Sequence, residues 1–208
     1  MNNDTAGLKI PVLTVLLAAV LWWFTFGLDW GVFWYKIAAS ALLLAVIAAK
    51  TGNMNIQAMR FNMRDVIVGL LLAAGLYLLF WLGKAASTAV FGFADQGIEG
   101  IYGLGEGTSM WFIALLLFFV TGPCEEVYWR GYLQQRFCER LGTWPGYLAA
   151  TACYALVHIW SMNFMLIAAA AVAGAYWGLA YLALKRLQPV IVSHAVWSTF
   201  IFTVAPIP

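Results

Sequence analysis

From Leu141 to Leu184 the chain carries no Asp, Glu, Lys or Arg. One membrane-crossing helix needs only about 20 apolar residues, so this stretch is long enough for two, with a break near Ser161–Asn163. It lacks the two-residue alternation of a barrel strand. In lipid the backbone must satisfy its own polar groups, which leaves helices as the spanning element. The rest of the chain repeats the pattern. Ile10–Leu28 is uncharged, Trp30–Ala49 holds only Lys36, and Val66–Gly83 lies between Asp65 and Lys84. Gly107–Cys124 runs on through Glu125 to about Arg140, and Leu187–Pro208 closes the sequence. The fold class is therefore all-α: a polytopic transmembrane helical bundle of about seven spans, within a range of six to eight. Residues 1–208 read as a single integral membrane domain without internal repeats. The first apolar run exceeds a signal-peptide core, and no clear small-residue cleavage site follows it, so it reads as an uncleaved anchor.

Composition agrees. Charged residues make up 10% of the chain and hydrophobic ones 64%, against roughly 25% charged in a soluble domain. A soluble enzyme and a disordered chain are excluded. A net charge of +2 without a basic patch excludes a nucleic-acid partner. Cys124, Cys138 and Cys153 are odd in number and lack a CxxC spacing, so they indicate neither a disulfide framework nor a zinc ribbon.

Basic residues in short loops set orientation. Lys50, Arg60 and Arg64 follow span two, Arg136 and Arg140 follow span four, and Lys185 and Arg186 follow span six. All fall on one face, read as cytoplasmic in a cell inner membrane, and the N-terminus with Lys9 joins them. The opposite loop, Lys84–Glu106, carries Asp95, Glu99 and Glu106 among five glycines and reads as a flexible outer loop, partly re-entrant.

The costly feature is the charge inside span four. A charged side chain at mid-bilayer costs about 2.5–3.5 kcal/mol on insertion scales, and Glu125, Glu126 and Arg130 sit there together. Glu126 and Arg130 are four apart, acid first, the favourable order for an ion pair on one helix face. Glu125 is rotated about 100° away. Arg130 can therefore hold Glu126 and leave Glu125 free for chemistry. The only two histidines also lie in spans: His158, with Tyr154 four residues before it, and His194, with Ser198 four residues after it. Intramembrane ionisable groups point to function. Counted along their helices, Glu125, His158 and His194 are expected to surround one cavity open to the basic face.

Three chemistries suit such a pocket. A carboxylate held away from bulk water is a competent general base, with histidines to orient water, protonate a leaving amine or hold an oxyanion. Glu and His also ligate zinc, although no HExxH spacing is present. A Glu/His relay can serve proton-coupled transport, although no inverted repeat or matched broken helices accompany it. No GxSxG elbow supports a serine nucleophile.

At these residues the chain resembles the CAAX-protease and bacteriocin-processing family. Glu125-Glu126-Val127-Tyr128-Trp129-Arg130 matches its EExxxR motif, Tyr154-Ala155-Leu156-Val157-His158 its FxxxH motif with Tyr for Phe, and His194-Ala195-Val196-Trp197-Ser198 its third motif with Ser in place of Asn. The similarity covers about residues 107–200. The resemblance implies a glutamic-type intramembrane endopeptidase acting on a membrane-embedded or lipidated protein, in contact with the lipid bilayer. In that reading Glu125 activates water, His158 helps position it, and His194 with Ser198 holds the oxyanion. Glu126, Arg130 and Tyr154 support the site. No cofactor and no metal is implied. The alternatives are a non-catalytic bacteriocin-immunity or partner-binding membrane protein and a small proton-coupled transporter.

Overall fold

A computed structural model describes residues 7–52 and 59–207. The extreme N-terminus, assigned above to the basic face, and Pro208 lie outside the described residues. Eight helices follow in order: α1 Lys9–Phe26, α2 Phe33–Thr51, α3 Met63–Val90, α4 Ala94–Gly103, α5 Met110–Leu141, α6 Thr143–Leu156, α7 Phe164–Leu184 and α8 Gln188–Val204. Five of them, α1, α2, α3, α5 and α7, are long and apolar enough to cross a membrane. The protein is thus an all-α, multi-pass membrane bundle. Leu, Val, Ile and Trp side chains along α1, α3 and α5 stay exposed on the bundle's outside, as a lipid-facing surface requires.

The break anticipated near Ser161–Asn163 has a physical cause. After α6 a tight 3₁₀ turn, Val157–Ser161, leads to Met162 in the left-handed conformation at φ 51°. Asn163 then caps α7, its side-chain oxygen accepting from the Met165 and Leu166 amides.

The basic residues come to one end of the bundle. Arg136 donates to the Gly52 carbonyl at 3.0 Å, joining the ends of α5 and α2. Arg186 grips Asp65 through Nε at 2.8 Å and Nη2 at 2.6 Å, tying the α7–α8 turn to the start of α3. Asp65 also completes a capping box with Asn62.

At the other end the outcome differs from a flexible loop. α3 continues past Lys84 to Val90, and α4 is a helix packed on α7. Gly97 permits the approach, because a Cβ there would lie 2.7 Å from the Met165 side chain. The Asn163 amide donates to the Gly97 carbonyl at 2.7 Å.

α5 is the axis of the fold. Tyr128 through Gln134 are buried without interruption, so the helix is enclosed on every side at that level. Two stretches, Leu117–Thr121 and Val127–Gln134, have the wider π-helical pattern, often found at functional sites. Arg130 and Gln134 reach across to the Gly174 and Gly178 carbonyls of α7. Those carbonyls are accessible because glycine keeps the α7 face low: a Cβ at Gly178 would stand 2.8 Å from Tyr147.

Candidate active site

α5, α6 and α8 bring all three motifs together. Glu126 is fully buried; its Oε1 accepts from Arg130 Nη1 at 2.7 Å, as the four-residue spacing anticipated, and lies 2.6 Å from His194 Nδ1. The guanidinium is held further by the Tyr154 ring, 4.6 Å to its centroid, and by the Trp177 ring at 5.4 Å. One carboxylate and two aromatic faces therefore stabilise this cation.

Glu125 points a different way. Its Oε2 accepts from the Tyr154 hydroxyl at 3.0 Å, and its other oxygen stays open to a cavity of about 360 Å³. The Tyr-for-Phe departure in the second motif thus supplies the one hydrogen bond that Glu125 receives from a side chain among the described residues. His158 and His194 line the same cavity, with Ser198 and Thr121.

The cavity does not reach the basic face. From Glu125 it extends toward Lys84 and Ser87 of α3 and Ile98, Ile101 and Tyr102 of α4. The reason is the direction of α6, which starts at the basic end; fifteen residues on, at about 1.5 Å each, His158 stands close to the α4 end. The walls are mostly apolar, built from the alanines of α7 and aromatic residues of α2, α3 and α8.

Partners fix the state of His158. Its Nδ1 lies 2.8 Å from the Tyr154 carbonyl, which can only accept, and its Nε2 lies 3.3 Å from the Trp22 indole N–H, which can only donate. His158 is therefore the neutral Nδ1–H tautomer. Ser198 donates its hydroxyl to the His194 carbonyl at 2.7 Å, so that proton faces the helix and not the cavity. Trp177 lies flat on the His194 ring, 3.9 Å between centroids at 16°, and is itself anchored through Nε1 to Ser193 Oγ at 3.1 Å.

Sequence reasoning did not single out Trp22 or Trp177. Each looks like any tryptophan in an apolar run. Only burial to 0% and 1% separates them from the aromatic residues that face lipid.

Residues 107–200 match the family model described as type II CAAX prenyl endopeptidase Rce1-like. Over that stretch the chain is similar to the Rce1-like family. It is a family of CAAX-type membrane proteases, so a bilayer setting and protein substrates come with it. The matched segment begins just before α5 and ends within α8, enclosing all three motifs. No curated protein and no solved structure matches the chain.

Proposed function

We propose that this Rce1-like protein is a glutamic-type endopeptidase that hydrolyses a peptide bond of a membrane-embedded or lipidated protein. The observation that carries the reading is the convergence of Glu125, His158 and His194 on one apolar-walled cavity. Glu125 is the base: its carboxylate is not committed to Arg130, and one oxygen is open to the cavity. Such a group, positioned against water in a secluded site, accelerates hydrolysis by roughly 10²–10⁴-fold. Glu126 and Arg130 hold the helices around it. His158, fixed by Trp22 and Tyr154, shapes the wall against which water sits. Ser198 keeps the His194 turn of α8 in place through its hydrogen bond to the His194 carbonyl.

Orientation follows from the basic end. With that end cytoplasmic, the cavity opens toward the opposite face of the membrane, so the scissile bond is presented from that side.

The test compares wild type with Glu125→Gln on a panel of membrane-anchored reporters, including a farnesylated peptide with a CAAX terminus. Cleavage by wild type and none by a folded, membrane-inserted Glu125→Gln is expected, because an amide cannot accept the water's proton. Wild-type turnover in Glu125→Gln would sink the assignment.

A further inference from the structure

The two imidazoles of the site are held in opposite ways. His158 has both ring nitrogens engaged by the protein, with Tyr154 on one and Trp22 on the other. His194 has only Nδ1 engaged, 2.6 Å from the Glu126 carboxylate. Among the described residues nothing hydrogen-bonds to His194 Nε2, and that nitrogen is not sealed from the cavity. A carboxylate held by Arg130 can only accept. The proton on His194 therefore sits on Nδ1, and neutral His194 offers the cavity a bare Nε2. A bare nitrogen cannot donate to an oxyanion. It can take up a proton, and the resulting imidazolium has a carboxylate at one edge and the Trp177 face against its plane.

We propose that His194, backed by Glu126, carries the proton from the hydrolytic water to the leaving amine, with Trp177 as the positioning residue that holds its ring. This rests on the endopeptidase reading above. As water oxygen bonds to the carbonyl carbon, one of its protons goes to Glu125. That proton passes from the Glu125 carboxyl to His194 Nε2, making the imidazolium. The C–N bond then breaks, its electron pair going to nitrogen, and Nε2–H is delivered to that nitrogen. Glu125 ends as carboxylate and His194 as neutral imidazole; water has given OH to the acyl carbon and H to the amine. The oxyanion must then be met by donors other than neutral His194.

The chain has only two histidines, so full-length protein labelled with ¹⁵N-histidine gives a two-imidazole spectrum, and His158→Gln assigns it. The expected spectrum has neutral His194 protonated at Nδ1 and bare at Nε2. Protonation at Nε2 instead overturns the proposal, whatever the substrate. The kinetic arm uses a reporter that wild type cleaves. His194→Gln keeps an N–H able to serve an oxyanion but carries no proton, so kcat is expected to fall by about 10²–10⁴-fold with KM changed far less. Added imidazole should partly restore His194→Gly. Trp177→Leu should lower kcat while Trp177→Phe keeps most of it, since only the phenyl ring preserves a face for His194. More than a tenth of wild-type kcat in His194→Gln rejects the proton-carrier role. If that variant is active while Glu125→Gln is dead, only this inference falls. If Glu125→Gln itself is active, or wild type cleaves nothing, the endopeptidase reading falls, and the imidazole spectrum still decides the state of His194.

Discussion

Arg130 is the residue on which the buried charges depend. Glu126 is fully buried and one of its oxygens, Oε2, has no partner among the described residues. Removing the guanidinium leaves that carboxylate only His194. Breaking a buried pair costs about 3–5 kcal/mol, so Arg130→Ala should unfold at clearly lower temperature than Glu125→Ala, whose carboxylate loses only a tyrosine hydrogen bond. Thermal unfolding of both variants in the same detergent checks this, and equal midpoints would contradict it. The same contacts bear on metal dependence. Zinc takes three protein ligands or more, whereas Glu126 is shared by Arg130 and His194, and His158 has no free nitrogen. Among the described residues of the site, Glu125 and His194 remain. Proteolysis is therefore expected to survive strong chelators undiminished; loss of activity on dialysis against chelator, restored by zinc, would reverse this. At this scale the sequence was informative about charge. The Glu126–Arg130 pair follows from four-residue spacing alone. The attachment of His194 to the same carboxylate does not, because it joins positions 68 apart and no periodicity reports on such a contact.

Among the elements, α5 and α8 meet at Gly122. A Cβ there would stand 3.0 Å from Ala195 Cα and 3.1 Å from Ala195 N, and backbone cannot step aside as a side chain can. Overpacking of this kind costs about 1–3 kcal/mol. Its larger effect falls on the neighbouring residue, His194, which is moved away from Glu126. Gly122→Ala should thus reduce kcat by roughly tenfold or more at a modest loss of thermal stability, measured side by side. A variant with unchanged kcat would show that α8 can shift without disturbing the site. The helices themselves were legible from uninterrupted apolar runs, including the α6–α7 break that Met162 and Asn163 make. The π-helical turns of α5 were not, since a change from i→i+4 to i→i+5 bonding leaves no mark on composition. α4 was hidden by its glycines: Gly97 reads as flexibility in a sequence but serves as a contact surface against Met165.

For the whole molecule, the informative result is the direction in which the cavity runs. Loop charges fixed the basic end correctly, as the Arg136–Gly52 and Arg186–Asp65 contacts attest. The opening was misjudged because depth was counted from helix ends without regard to which way α6 travels. Two exposed positions separate the faces: Gln96 on α4 and Glu139 at the end of α5. In a Cys138→Ser background, Gln96→Cys should react with a membrane-impermeant maleimide on intact cells, and Glu139→Cys only after permeabilisation. The reverse pattern would invert the orientation and place the cavity mouth in the cytoplasm. Between α4 and the start of α7, one side chain does two jobs. The oxygen of Asn163 begins α7 and its nitrogen tethers α4. A carboxamide is a rigid plane, so the two ends cannot be reoriented separately. Any hinge motion that swings α4 aside is geared to the first turn of α7: either the tether parts and the cap holds, or both turn together.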